Sequence, residues 1–296
     1  MKPPMAPFHA RLAEAVYYTT TPLCVGIDPH PELLPGADPA DSRADRARRA
    51  LRFGRAILAA CRGVVPAVKP QFAFFEQLGP EGMAALAPLL GEAREAGLLV
   101  VGDAKRGDIG STAAAYAAAT LGPDAPFPCD ALTVSPFLGT DTLEPFVAAA
   151  RTHGAGLFVL FRTSNPGSAQ FQELAAPELA AWITHTGRAL ATPNGLSPIG
   201  VVIGATRRDA LTIWRDRLPH AWFLVPGYGA QGATAQDCAA AFRPDGLGAL
   251  VPSARSLTFP DRPDAAWEAD PETFVSERIR AVRTELEAVV RCVAPP

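Results

Sequence analysis

Residues 98–112 read LLVVGDAKRGDIGST. Four apolar residues and a glycine lead to Asp103 with no polar position between them. That is the pattern of a strand buried on both faces, as in a parallel sheet. The charges then arrive together, with Asp103, Lys105, Arg106 and Asp108 inside six positions. Working outward, the same unit recurs as LCVGID (23–28), VVPAVK (64–69), ALTVSP (131–136), LFVLFR (157–162), IGVVIG (199–204), WFLVPG (222–227) and GALVPS (248–253). Each run is short, rich in β-branched residues and bounded by Gly or Pro. The segments between them read as helices. Residues 43–62 stop at Gly63, 80–96 open with Pro80 and stop at Gly97, and 140–153 begin with Thr140 and stop at Gly154. The last opens Asp270-Pro271-Glu272, a cap followed by a first-turn proline, and carries Val275, Ile279, Val282, Leu286, Val289 and Val293 on one stripe.

Eight strand-like runs alternating with helices over about 250 residues predict an α/β chain folded as one (β/α)8 barrel. A doubly wound open sheet is the rival, but LCVGIDPHPE lacks the GxGxxG that usually follows its first strand. The expected organisation is one domain over 1–296. It has a helical extension at 1–22, a barrel core at 23–256 and a final helix at 270–293. Two Pro- and Asp-rich stretches, Pro29–Asp41 and Thr258–Asp270, read as loop insertions.

The chain has 296 residues, 48% apolar and 19% charged, with a net charge of −3. This is globular composition, and it gives no support for a nucleic-acid binder. The Arg-rich run 43–55 reads as a solvated helix face. The N-terminus has no unbroken apolar stretch of a secretory signal, and no run is long enough for a membrane span. Five scattered cysteines (Cys24, Cys61, Cys129, Cys238, Cys292) without a CxxC pair fit free thiols in a reducing compartment. The expected location is the cytoplasm.

Lysine is scarce: of 27 basic residues only Lys2, Lys69 and Lys105 are lysines. A lysine kept against that trend suggests a compact ammonium that can give up a proton, which arginine cannot do. In a barrel, active-site side chains follow the C-terminal ends of the strands. Those positions hold Asp28, Lys69, Asp103 with Lys105, Arg162-Thr163-Ser164, Pro226-Gly227, and Ser253 with Arg255. Both internal lysines are among them. Asp103 and Lys105 are two apart, so on an extended chain they point the same way. The bland alternative for residues 103–108 is a solvated loop with surface ion pairs.

The stretch PGYGAQG (226–232) places Gly227, Gly229 and Gly232 where backbone N–H groups can close around an anion. Arg255, past the next strand, adds a bidentate phosphate contact. Loops after strands seven and eight are the usual phosphate site of such barrels. The five histidines show no metal-ligand spacing. DPHPE around His30 reads as a loop turn, and nothing points to a nucleophilic triad.

DAKRGDIGST (103–112), with LCVGIDP (23–29), VKPQFAFFE (68–76), FRTSNPGS (161–168), VPGYGAQG (225–232) and VPSARS (251–256), resembles orotidine 5′-phosphate decarboxylase, in particular its longer bacterial branch. The resemblance covers residues 23 to about 256. The DxKxxD core alone is shared with related barrels; the motifs together are specific. The resemblance implies a TIM barrel that converts orotidine 5′-phosphate to UMP, the last step of de novo pyrimidine biosynthesis, as a homodimer with shared sites and with neither metal nor cofactor. By position, Lys105 looks like the proton donor to C6 of the pyrimidine. Lys69, Asp103 and Asp108 look like the rest of a lysine–aspartate array, with Asp108 reaching into the partner's site. Asp28 and Lys69 would hold the ribose, Thr112 would touch it from across the dimer, and Ser164 would read the pyrimidine edge. Gln231 and Arg255, with Gly229 in the loop, would hold the phosphate. One rival is a magnesium-dependent sugar-phosphate decarboxylase or synthase of the same superfamily, which carries a carboxylate where this chain has Lys69. Another is a non-catalytic nucleotide-binding barrel.

Overall fold

A computed structural model describes residues 6–262 and 264–290. Eight parallel strands close into a barrel in sequence order. They are β1 (Leu23–Ile27), β2 (Ala67–Pro70), β3 (Leu99–Arg106), β4 (Ala131–Val134), β5 (Gly156–Arg162), β6 (Ile199–Ile203), β7 (Phe223–Leu224) and β8 (Ala249–Ser253). The ring closes where Leu23, Cys24 and Val25 of β1 pair with Val251, Pro252 and Ser253 of β8. All eight apolar runs of the sequence thus become strands. Most strand residues are buried, because the barrel interior takes one face and the outer helices the other.

The helices match the sequence punctuation closely. Arg43–Cys61 opens on a capping box between Ser42 and Asp45. Glu144–His153 ends on Gly154 in the left-handed conformation, preceded by a 3-10 turn over Thr140–Leu143. In Pro271–Glu287 the Asp270 carboxylate accepts from the Thr273 N–H, and Val275, Ile279 and Leu286 are fully buried. The helix ends at Glu287, short of the expected Val293, with a turn over 288–289; residues 291–293, like Lys2, lie outside the described residues.

The N-terminal extension has a definite task. Helix Phe8–Thr19 closes the end of the barrel opposite the strand tips. Phe8, Leu12 and Val16 pack into one cluster with Ala67, Leu99, Ala131, Phe158 and Leu250 from the barrel interior. Phe8 meets Phe158 edge-on at 6.1 Å. Gly156 is required there, since a Cβ would lie 2.2 Å from the Phe8 ring. Arg11 pairs with Asp130 at 2.7 Å. The expected insertion after Thr258 is anchored by an aromatic cluster. Buried Trp267 sits among Phe53, Phe259 and Phe274, and its indole N–H donates to the Thr258 carbonyl at 2.9 Å.

His9, on the same N-terminal helix, is buried with neither ring nitrogen hydrogen-bonded. Burial lowers its pKa to about 4. The folded protein therefore binds fewer protons here than the unfolded chain between about pH 6.5 and pH 4, and stability falls as pH falls through that window. The loss by pH 4.5 is on the order of 2–3 kcal/mol. Urea unfolding at pH 7 and pH 4.5 is expected to show His9→Leu losing less stability than wild type by about that amount. Equal losses would mean His9 is not the group that titrates.

Candidate active site

The strand tips enclose a cavity of about 680 Å³ at the C-terminal end of the barrel. Asp28, Lys69, Asp103, Lys105, Ser164, Gln231 and Arg255 all line it. Three of these form a continuous charged array. Asp103 Oδ2 accepts from Lys69 Nζ at 2.7 Å and from Gln71 Nε2 at 3.0 Å. Its Oδ1 accepts from Lys105 Nζ and from the Thr133 hydroxyl. Lys69 and Asp103 are each 7% exposed, whereas the Lys105 side chain is half-exposed to the open cavity. The array thus offers an incoming molecule one ammonium whose orientation is fixed by a buried carboxylate.

The electrostatics follow from that geometry. Burial works against charge on Asp103, but Lys69 and Lys105 outweigh it and hold the carboxyl well below the usual range. Burial also works against Lys69, yet Asp103 and Asp28 beside it raise the ammonium above an ordinary lysine. For Asp28 burial wins over the Lys69 charge and raises the carboxyl. Asp28 Oδ1 is buried with no protein hydrogen-bond partner. Asp28 lines the cavity, where a carboxyl is suited to a ligand hydroxyl.

Asp103 and Lys105 share a side, though not by the plain extended alternation expected from the sequence. Lys105 has φ +50°, in the left-handed region. The β3–β4 register shifts between Gly102 and Arg106. A bulge, not an unbroken strand, aims both side chains inward.

Across the cavity the loop after β7 supplies Gly227, Tyr228, Ala230 and Gln231, and the residue two past β8 is Arg255. Gly227, Gly229 and Gly232 all have positive φ. Gly229 itself does not line the cavity. It packs where a Cβ would lie 2.8 Å from Ser256 Oγ, and its N–H donates to the Ala233 carbonyl at 2.9 Å, so it holds the loop's shape rather than a ligand. Tyr228 sends its hydroxyl to Glu285 of the C-terminal helix, tying the base of the loop to the barrel wall.

Besides Gly229, two residues assigned to the site from the sequence are not brought into this cavity. Asp108 turns back to accept from the Ile109 N–H at 2.7 Å, and Thr112 is exposed on the first turn of helix Gly110–Thr120. Several lining residues were missed, among them Gln71, Thr133, Gln172 and His30. Gln71 stands two past Lys69, so the strand-end rule could have found it. Thr133 lies inside a run read as strand core. His30 does sit at a turn, its N–H donating to the Asp28 carbonyl at 2.9 Å. Its ring nevertheless lines the cavity, 4.2 Å from Phe74.

The family model for orotidine 5′-phosphate decarboxylase / HUMPS matches residues 21–269, which takes in all eight strands. The chain belongs to this family. Among orotidine 5′-phosphate decarboxylase relatives, that of Rhodopirellula baltica is 42% identical over 95% of this chain and 98% of its own length. That of Streptomyces coelicolor is 46% identical over 79% of this chain and 83% of its own. The structure of Leishmania donovani OMP decarboxylase superposes with a TM-score of 0.70 at 34% identity, covering 95% of this chain and 99% of that one. The family therefore spans the cavity, the charged array and the glycine-rich loop together.

Proposed function

We infer that the chain decarboxylates orotidine 5′-phosphate to UMP, the last step of de novo pyrimidine biosynthesis. The observation that carries this reading is the buried Lys69–Asp103–Lys105 array at the strand tips, in a chain of this family. Loss of CO2 from C6 of the pyrimidine leaves an electron pair in an sp² orbital that no ring carbonyl can absorb by resonance. A fixed ammonium beside C6 stabilises that charge. In this reading the C6–carboxylate bond breaks, CO2 leaves, and Lys105 delivers a proton to C6 before regaining one from water. Asp103 holds Lys105 in place. Asp28 and Lys69 take the ribose hydroxyls, Ser164 the pyrimidine edge, and Gln231 and Arg255 the phosphate. Phosphate binding, remote from C6, closes the 226–234 loop and excludes water.

The active unit in this reading is a homodimer. Asp108 and Thr112 do not line the cavity of their own chain, and in the dimer they serve a neighbour's. The loops after β3 and β4, with the chain after β5, carry exposed Ile109, Phe137, Leu138, Phe171 and Leu174. Apolar side chains gathered at one end of a barrel fit a self-interface. A cytoplasmic location belongs to the same reading. Cys24, Cys61, Cys129 and Cys238 are free and buried, and among the described residues no helix is long and apolar enough to cross a membrane.

The test is the loss of orotidine 5′-phosphate absorbance, with UMP formation, by purified protein in chelator. Full turnover is expected. No turnover overturns the activity, and a requirement for added magnesium points to the metal-dependent branch of the superfamily. In the same assay Arg255→Ala should lower kcat/KM for orotidine 5′-phosphate and spare the slow turnover of phosphate-free orotidine. Equal loss on both removes Arg255 from the phosphate site.

A further inference from the structure

On β3 and β4 the register places Gly102 opposite Leu132 and Arg106 opposite Val134. Three residues, Asp103, Ala104 and Lys105, therefore face a single one, Thr133. Such a bulge takes backbone N–H groups off the ladder, and they need another acceptor. The Thr133 hydroxyl supplies it. Its oxygen accepts from the Ala104 N–H at 3.0 Å and from the Lys105 N–H at 2.9 Å, and its proton reaches Asp103 Oδ1 at 3.1 Å. One hydroxyl has one donor and two acceptor sites, and here all three are used within the bulge. Thr133 is 1% exposed, so water does not compete for them.

We propose that Thr133 is the positioning residue of the reaction: its hydroxyl holds the 103–105 bulge and so sets where the Lys105 ammonium stands relative to C6. The proposal rests on the reading that Lys105 and Asp103 carry the chemistry. Lys105 sits at φ +50°, a conformation that an L-residue adopts only when its surroundings impose it. Both N–H groups flanking that peptide end on Thr133, and the same oxygen's proton restrains the carboxylate that Lys105 binds. One hydroxyl thus ties down the backbone of the proton donor and contacts the carboxylate that holds its side chain. The effect expected is on the reaction step, since ribose and phosphate contacts lie on other strands.

The experiment compares Thr133→Val with Thr133→Ser. Valine keeps the β-branched shape and removes the acceptor; serine keeps the hydroxyl. Thr133→Val is expected to lower kcat roughly 100-fold, the scale of a misplaced reacting group, while its Kd for UMP changes less than about threefold. Thr133→Ser is expected to stay within about threefold of wild type in both, because the acceptor is retained. Wild-type kcat in Thr133→Val overturns the proposal. So does equal damage in the two variants, or a loss of UMP affinity that parallels the loss of kcat, which marks a merely structural role. If the valine protein does not fold, Thr133→Ala carries the same test, with at least about tenfold loss of kcat expected and wild-type kcat overturning it. Lys105→Ala in the same assay separates the two levels. If it retains activity, the underlying reading fails; if it is inactive while Thr133→Val is unimpaired, only the role of Thr133 fails.

Discussion

Replacing Lys105 by alanine is expected to lower UMP formation by roughly 10⁴-fold or more, with the protein still folded. The size of the effect comes from two losses at one atom. The ammonium stabilises charge developing at C6, and it is the proton source that ends the reaction. The fold should survive, because the Lys105 side chain is half-exposed. Asp103 keeps Lys69, Gln71 and Thr133 as partners when Lys105 is gone. Lys105→Arg separates the two losses: a guanidinium keeps the positive charge but is a very poor acid, so it should remain far below wild type. Product formation by either variant near the wild-type rate, with an unchanged circular dichroism spectrum, would remove Lys105 from the reaction.

Mixing two inactive proteins is expected to restore activity. Lys105→Ala subunits retain Asp108, and Asp108→Ala subunits retain Lys105. In a shared-site dimer, the site on the Asp108→Ala barrel recovers its aspartate from the partner, while the other site lacks both. Equal random mixing makes roughly half the dimers hybrid, each with one complete site of two, so about one quarter of wild-type activity should return. The structural basis is the placement of Asp108. Its carboxylate caps the Ile109 N–H and does not line the cavity of its own chain. If no activity returns after the subunits are shown to exchange, Asp108 acts within its own chain or not at all.

The barrel was legible because its strands are buried on both faces. LCVGI, LLVVG and IGVVI carry no polar residue to blur the pattern, and Gly or Pro marks each boundary. Lys69, Asp103, Lys105 and Arg255 were legible for a related reason, since strand tips are where a barrel can hold charge. What escaped depends on contacts between distant segments. Thr133 reads as an ordinary β-branched strand residue, and only the β3–β4 register shows three residues facing it. The N-terminal helix reads as an extension, and its role as a plug appears only when Phe8 meets Phe158 and Gly156. Thr258–Asp270 looked like an inserted loop because Pro and Asp dominate it, whereas Trp267 anchors it in an aromatic cluster. The turn at His30 hid a cavity-lining ring for the same reason: its partner Phe74 is 44 positions away.

The claim on which the mechanism depends is that the cavity is complementary to negative charge at C6. Calorimetric affinity for a UMP analogue bearing an ionised oxygen on C6, set against UMP itself, measures this directly. Wild-type protein is expected to bind the anionic analogue at least about 10³-fold more tightly than UMP, as a site built for the transition state should, and Lys105→Ala should lose most of that preference. Equal affinity for the two nucleotides, or a preference that survives Lys105→Ala, would contradict it.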